Sequence, residues 1–136
     1  MSRRLTRAEA WFVRFERVAR LATVDPQGQP HVVPVCPALD GDEIVIATEE
    51  GAKVRNLRAE PRCAIVFDAY QKDWEGLRQV QVRGRARLLT EGADWDRGKA
   101  VLDAKFPQYE PIAEIVPGHT LIVRIPVEDA TSDGLG

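Results

Sequence analysis

The short stretch EEGAKVRNL, residues 49–57, places anion-binding residue types at the start of a predicted helix. Gly51 lets the backbone approach a ligand closely, and the amides of a first helical turn are free to bind an anion. Lys53 adds a point charge, and Arg55 adds a planar guanidinium. Cations are mildly disfavoured at a helix N-terminus. These two side chains therefore either hold a phosphate or are simply solvated, and the stretch alone leaves both interpretations open.

A second candidate is Gln79, which opens a strand whose outer face is basic, in LRQVQVRGRAR at residues 77–87. Its side-chain amide offers a donor and an acceptor together. That combination suits the imide edge of a pyrimidine-like ring. Taken singly, Gln79 is more simply interpreted as a solvated residue on an exposed strand.

Other polar and aromatic residues have weaker claims to a role. His31 follows a turn and is interpreted as an ordinary strand residue rather than a proton donor, and His119 is given no chemical role. Tyr70 and Trp74 either wall a planar ligand or cover the mouth of a barrel. Three acids are expected to lie in a solvated loop rather than form an acid–base set: Asp68, Asp73 and Glu75.

The bulk numbers describe one soluble globular domain. The chain has 136 residues, 44% hydrophobic and 29% charged, with a formal net charge of −2, which argues against bulk electrostatic capture of nucleic acid. No apolar run reaches membrane-spanning length and no signal-peptide core is present, so we expect a cytoplasmic protein. Cys36 and Cys63 are expected to be buried thiols. With two histidines they show no zinc-ligand spacing.

The elements that must position these residues are mostly strands. Thr6-x-x-Glu9 is a capping box that starts an amphipathic helix, and the Pro-Gly-Pro segment at 26–30 predicts a hairpin. The run CAIVFDAY predicts a strand buried on both faces. The expected segments are an N-terminal helix at 1–17, a barrel core at 18–90, a helical segment at 91–118, a last strand at 119–127 and a tail at 128–136. Short connections require antiparallel pairing, and six strands in one small domain predict a mainly β, α+β barrel with flanking helices.

The order of three motifs resembles the pyridoxamine 5′-phosphate oxidase-like superfamily, the FMN-binding split β-barrels. The motifs are the turn G-x-P-H at 28–31, the helix K-x-x-N-L-x-x-x-P at 53–61, and R-Q-V at 78–80 with G-x-A after it. The resemblance covers residues 18–90 and extends more weakly to 127. The lead D-x-Y-x-x-D-W-x-x-L at 68–77 is similar to the branch of probable deazaflavin-dependent enzymes.

The resemblance implies a cofactor, coenzyme F420 (a deazaflavin) or FMN, bound in a groove between the subunits of a homodimer. It implies that Lys53 binds the phosphate, on a turn that includes Gly51 and Ala52, and Arg55 would help to anchor it. Gln79 would approach the polar edge of the ring. Two strand segments would flank the ring and its chain: Val33, Pro34 and Val35, and Ile46, Ala47 and Thr48.

Departures from the family pattern narrow the function. The oxidases proper carry basic residues where this chain has Val33 and Ala52, and they end in a segment with Arg and Trp that is missing here. We therefore predict a flavin- or deazaflavin-dependent oxidoreductase that acts on a small organic substrate, rather than a pyridoxamine phosphate oxidase. The cofactor would carry the redox step, so no catalytic residue and no metal is expected. The alternative is a non-catalytic flavin- or haem-binding protein on the same dimeric barrel, with His31 or His119 as the haem ligand.

Overall fold

The computed structural model describes residues 3–135. The helices are α1 (Arg7–Phe15), α2 (Ala52–Ala59), α3 (Ala93–Lys105) and α4 (Tyr109–Ile112). The strands are β1 (Ala19–Val24), β2 (Pro30–Val35), β3 (Ala38–Asp40), β4 (Glu43–Thr48), β5 (Arg62–Ala69), β6 (Arg78–Arg85), β7 (Arg87–Leu89), β8 (Leu121–Pro126) and β9 (Asp129–Asp133). Across the described residues, no helix has both the length and the apolar character needed to span a bilayer.

The strands form two sheets that close into a split barrel. The larger sheet has the order β2-β1-β5-β6-β9 and the smaller has the order β3-β4-β8-β7. Every pairing is antiparallel. The chain crosses between the sheets four times: through Cys36 and Pro37 after β2, through α2 after β4, through Ala86 after β6, and through Val127 and Glu128 after β8. The mainly β, antiparallel split barrel with flanking helices is therefore confirmed.

The strand count and some predicted boundaries need correction. The structure has nine strands over residues 3–135, not six, because β3, β7 and β9 were not predicted. The predicted tail contains β9, whose sequence DATSD buries only one apolar residue, Ala130, so no alternation marks it. The predicted strand at 80–89 breaks at Ala86, whose amide donates to the carbonyl of Pro61. Residues 1 and 2 of the predicted helix, and residue 136 of the tail, lie outside the described residues.

The crossing after β6 depends on a glycine. Gly84 lies near the end of β6, where β6 passes over β8 at the seam between the sheets. A Cβ at this position would collide with the carbonyl oxygen of Pro126 and lie 3.1 Å from Cγ2 of Ile125. The absence of a side chain at Gly84 thus lets the two backbones approach each other.

Two apolar clusters stabilise the structure. The barrel core lies between the sheets and includes Leu21, Ile65 and Phe67, all 1% exposed or less. The second cluster lies under α3, where Trp95 packs on the outer face of the smaller sheet and its Nε1 donates to the carbonyl of Thr120 at 3.0 Å. Burial of this order stabilises a fold by roughly 25 cal/mol per Å² of apolar surface.

The prediction that β5 is buried on both faces is wrong. Its inward residues Cys63, Ile65 and Phe67 are buried, but Ala64 and Val66 on the other face are only half-buried. The larger sheet therefore carries apolar side chains on its outer surface. The two cysteines also differ from each other. Burial raises the pKa of the Cys63 thiol to about 12, whereas Cys36, in the crossing after β2, is exposed and not buried as expected.

The N-terminal helix is fixed by its cap and by an ion pair between the exposed Arg3 and the buried carboxylate of Glu9. Thr6 and Glu9 form the predicted capping box. The Glu9 carboxylate, 1% exposed, also accepts hydrogen bonds from Arg3 at 2.6 and 2.7 Å. The hydrogen bonds from Arg3 lower the pKa of Glu9 to about 2, against the opposing effect of burial.

A single lysine joins three segments that are distant in sequence. The ammonium of Lys105, the last residue of α3, donates to the carbonyls of Glu16 at 2.6 Å and Pro37 at 2.7 Å. A third, longer contact reaches the carbonyl of Val13 at 3.4 Å. Lys105 thereby ties the C-terminal end of α1 and the first crossing to α3.

Candidate cofactor-binding site

The N-terminus of α2 is open. Its N-cap is Gly51, no side chain caps it, and no acidic residue lies in its first turn. The first amides of the helix therefore have no intrahelical partner. The helix itself is firmly placed, because Val54 and Leu57 are buried and Asn56 Nδ2 donates to Thr23 Oγ1 on β1 at 3.0 Å.

Two cations stand at this helix start without internal partners. Lys53 is half-buried and Arg55 is exposed. Neither side chain makes a hydrogen bond or an ion pair with any residue between 3 and 135, whereas Arg58 on the same helix does. The positive charge of this pair adds to the positive end of the helix dipole.

The two glutamates that precede α2 are held by other residues. Both oxygens of Glu50 accept from the Arg58 guanidinium, at 2.5 and 2.8 Å, and this interaction lowers the pKa of Glu50. Glu49 Oε1 lies 3.0 Å from Nε2 of His119. Neither glutamate forms a hydrogen bond or an ion pair with Lys53 or Arg55, although the charge of Arg55 contributes to the lowered pKa of Glu50.

A cavity of about 400 Å³ opens beside the end of β4. Its lining includes Thr48 and Glu49, which lead into α2, and Tyr109, Glu114, Ile115 and His119 from the segment after α3. Ile115 is 2% exposed, and burial raises the pKa of Tyr109. The cavity is thus partly apolar and partly lined with carboxylates.

A second concave surface lies on the outer face of the larger sheet. This groove, of about 410 Å³, contains Gln79 among Ala22, Val32, Ala64 and Val66. Val32 is 61% exposed. Gln79 is half-buried, and its Nε2 donates to Asp133 Oδ2 on β9 at 3.1 Å. We call this surface the outer groove.

The structure divides the residues predicted from sequence into three groups. Ala47, Thr48, Gly51, Ala52, Lys53 and Arg55 lie together at the end of β4 and the start of α2. Val33, Val35 and Ile46 face the barrel core, so any contact with a ligand would be through their backbone. Pro34 and Gln79 lie on the outer face of the larger sheet, and no residue of α2 lines the outer groove.

The basic outer face predicted for β6 is largely neutralised. Arg83 pairs with Asp129 at 3.5 Å and Arg85 with Glu128 at 3.7 Å. These acids belong to the segment around β9, where a tail was predicted.

The remaining candidates are not gathered at α2. Tyr70 and Trp74 are 61% and 78% exposed in the loop between β5 and β6, where they line a shallow pocket with Leu77. His31 is half-buried on β2 opposite Thr23, and its Nδ1 is buried with no partner among the described residues.

Two sets of site residues were missed by the sequence analysis. Ala22, Val32, Ala64 and Val66 of the outer groove follow a period of two along their strands, and that alternation was the signal for a second exposed face. The cavity residues Tyr109, Glu114 and Ile115 come from a segment without regular periodicity. Only the tertiary structure places them beside β4.

Two antiparallel sheets whose strands are joined across the barrel, with an open cationic helix start beside the end of a strand, define a split-barrel protein with a candidate anion-binding site. The chain matches the pyridoxamine 5′-phosphate oxidase family across residues 5–130. It therefore belongs to that family.

Two curated relatives match the chain over part of their lengths. The 5a,11a-dehydrotetracycline/5a,11a-dehydrooxytetracycline reductase of Streptomyces rimosus is 33% identical over 93 residues, 64% of this chain and 66% of that protein. A pyridoxine/pyridoxamine 5′-phosphate oxidase of Azorhizobium caulinodans is 42% identical over 74 residues, 52% of this chain and 32% of that protein. The chain thus spans less than two thirds of either relative.

Solved structures match nearly the whole chain. A conserved hypothetical protein of Mycobacterium tuberculosis aligns with a TM-score of 0.82 at 26% identity, covering 99% of this chain and 90% of its own. An FAD-binding protein of Mesorhizobium loti aligns with a TM-score of 0.75 at 25% identity, covering 96% and 95%.

Proposed function

We propose that this protein is a homodimeric oxidoreductase that binds a phosphate-bearing flavin or deazaflavin and transfers hydride or electrons to a small organic substrate. The observation that carries the proposal is the open start of α2. Its uncapped amides stand beside Lys53 and Arg55, which have no partner among residues 3–135. Family membership and the reductase and oxidase named among the relatives support the oxidoreductase class.

The residues at α2 fit a phosphate. The first-turn amides would donate directly, Lys53 would supply a charge from a half-buried side chain, and Arg55 would add a fork of donors. Gly51 has extended backbone angles (φ 173°) that any residue adopts, and a Cβ there would meet no atom within 4 Å. The protein's own packing thus gives no reason for glycine at 51, whereas close approach of a ligand does.

The strands would orient the ring. The backbones of residues 33–35 and 46–48 would flank the ring and its chain, and the amide of Gln79 would meet its polar edge, as the family resemblance implies. The bound flavin or deazaflavin supplies the hydride or electron transfer. The protein's part is to hold the phosphate, position the ring and keep one face open to the substrate.

A homodimer would cover the outer groove. Within one chain, Gln79 and Pro34 lie on the outer face of the larger sheet, away from α2. That face carries the exposed Val32 and the half-buried Ala64 and Val66. Packing of two such faces would bury this apolar surface and place the outer groove of one subunit in a site shared with the other.

Sequence features favour a deazaflavin over FMN. The lead D-x-Y-x-x-D-W-x-x-L at 68–77 is similar to the deazaflavin branch. Ala52 replaces the second basic residue that accompanies FMN in the oxidases proper. Both cofactors carry a phosphate, so both would use Lys53.

Replacing Lys53 with alanine tests the phosphate site. We expect Lys53→Ala to weaken FMN and coenzyme F420 alike by about 1–3 kcal/mol, because a charge-assisted hydrogen bond to the phosphate is lost. Fluorescence titration of the apo protein measures both affinities. Lys72→Ala is the matched control, since Lys72 is exposed in the loop between β5 and β6.

An unchanged affinity in Lys53→Ala would refute the phosphate assignment.

The absorption spectrum of freshly purified protein distinguishes the haem-binding alternative from the proposed flavin or deazaflavin site. A Soret band that disappears in His31→Ala or His119→Ala would establish that alternative instead.

A further inference from the structure

Helix α1 leaves part of its apolar stripe uncovered. Four residues at the spacing i, i+3, i+4 and i+7 share one face of this helix: Ala8, Trp11, Phe12 and Phe15. Phe12 is 5% exposed and belongs to the barrel core, whereas Trp11 and Phe15 are 64% and 61% exposed. The two exposed rings contact each other, with their centroids 4.6 Å apart. Contiguous exposed apolar surface of this kind is typical of a binding site.

These rings line a cavity of about 670 Å³ between α1 and the start of β6, which we call the α1 cavity. Its volume falls within the usual range for small-ligand pockets, roughly 300–1,000 Å³. No residue of α2 lines it, and it shares no lining residue with the outer groove. The α1 cavity is therefore separate from the proposed phosphate site, and it lies outside the dimer contact proposed above.

Arg78 supplies a cation to the α1 cavity. Because side chains alternate along a strand, Arg78 and Gln79 point to opposite faces of β6. The guanidinium of Arg78 lies over the ring of Phe12, 5.3 Å from its centroid. It forms no hydrogen bond or ion pair with any residue between 3 and 135, so its planar set of donors is available to a carboxylate.

Glu16 supplies an anion to the same cavity. It is the C-cap residue of α1 and lies one turn beyond Phe12, on the same side of the helix. Its backbone carbonyl accepts a hydrogen bond from Lys105, but its carboxylate forms no hydrogen bond or ion pair with any residue that the structure describes. Arg78 and Glu16 therefore line one cavity without pairing with each other, and a ligand that carries charges of both signs would pair with both.

We infer that the α1 cavity binds a small aromatic zwitterion, a molecule with one carboxylate, one ammonium group and a flat ring. Arg78 holds the carboxylate, Glu16 holds the ammonium group, and the ring packs on the exposed aromatic side chains of α1. This site goes beyond the proposed function, because it requires neither a flavin nor a phosphate at α2.

Isothermal titration calorimetry with L-tryptophan and two truncated analogues tests the inference. Tryptamine lacks the carboxylate and indole-3-propionate lacks the ammonium group, so each analogue leaves one charge of the cavity without a partner. We expect L-tryptophan to bind about tenfold more tightly than either analogue, the lower end for one charge-assisted hydrogen bond. L-Alanine, which lacks the ring, should show no measurable binding.

Two charge variants should show opposite patterns. Arg78→Gln should weaken binding of L-tryptophan and indole-3-propionate by about tenfold and leave tryptamine unchanged. Glu16→Gln should weaken binding of L-tryptophan and tryptamine by a similar factor and leave indole-3-propionate unchanged. In each case the unaffected analogue shows that the cavity remains folded. Arg14→Gln is the control for Arg78→Gln, since Arg14 is exposed on α1 and does not line the cavity.

Two tryptophan variants locate the ring. Trp11→Ala should weaken binding of all three indole compounds, and Trp74→Ala, at an exposed loop position outside the cavity, should weaken none. Equal binding of L-tryptophan and either analogue, charge variants without the crossed pattern, or no binding at all would overturn the inference and leave the proposed function unaffected. If L-tryptophan does not bind and Trp11→Ala raises the dimer dissociation constant, this face is a contact between two copies of the chain and the inference is wrong.

Discussion

At the scale of single residues, the pairing of charges decides which groups are free to meet a ligand. Arg58 holds Glu50, and Arg3 holds Glu9. Near α2 this pairing leaves Lys53 and Arg55 without partners among the described residues. The sequence predicted these two cations because their position in a helix follows from local pattern. It did not predict the fate of Glu49, whose partner His119 is 70 residues away.

Glu9 should make stability depend on pH in the acid range. Its folded-state pKa of about 2 lies below the ordinary value of 4.5, so its contribution is complete above pH 4.5 and is lost as the pH falls towards 2. We expect Glu9→Gln to lower the free energy of unfolding by about 1–3 kcal/mol at pH 7, with the difference from the parent protein shrinking below pH 4.5.

Urea unfolding between pH 7 and pH 3 measures this effect. Glu110→Gln, at an exposed position on α4, serves as the control. A Glu9→Gln difference that stays constant across the range would show that the Arg3 contact does not hold the Glu9 carboxylate ionised.

At the scale of elements, the hairpins and α2 were predictable, whereas the strands at the crossings were not. The turn at 26–30 and the Asp40-Gly41 turn are local signals, and both lead to antiparallel pairs as expected. Strands β3 and β7 have three residues each, too few to show a period. Each of them follows a strand of the larger sheet, β2 or β6, and pairs in the smaller sheet after the chain has crossed the seam of the barrel.

Gly84 should be essential at this seam. We expect Gly84→Ala to destabilise the fold by about 3 kcal/mol, the upper end for overpacking, because its Cβ would collide with the Pro126 carbonyl. Thermal and urea unfolding measure the loss.

Gly51→Ala is the matched control for Gly84→Ala. Space around Gly51 is open and its φ of 173° suits any residue, so stability should change by only a few tenths of a kcal/mol, as at ordinary surface sites. If Gly84→Ala is equally mild, β6 and β8 do not approach as closely as described.

At the scale of the whole molecule, the outer face of the larger sheet remains uncovered in one chain. The alternation in β6 predicted its inward face, but burial of an outward face depends on what packs there, which no local pattern specifies. The same reason explains why Lys53 and Gln79 were both singled out from sequence while their separation on one chain was not foreseen. The residues of the candidate site at α2 could thus be predicted from sequence, but the other surfaces that belong to the site could not.

Replacing Val32 with arginine tests the proposed dimer. Val32→Arg would place an unpaired charge in the apolar contact between two outer grooves, so we expect at least a tenfold rise in the dimer dissociation constant, roughly 1.4 kcal/mol or more. Size-exclusion chromatography with light scattering over a range of protein concentrations reports the change.

Ile112→Arg is the comparison for Val32→Arg, since Ile112 is 79% exposed on α4. A parent protein that is monomeric at all concentrations, or a Val32→Arg dimer of unchanged affinity, would contradict the arrangement.

Lys105 has a consequence for how the molecule opens. Its single ammonium donates hydrogen bonds to backbone carbonyls at the C-terminal end of α1 and in the crossing after β2. If the last turn of α3 frays, all of these carbonyls lose their hydrogen-bond donor at once. Amide hydrogens in α1 and in the final turn of α3 should then exchange with solvent at a common rate, as one cooperative unit, although about ninety positions separate them along the chain.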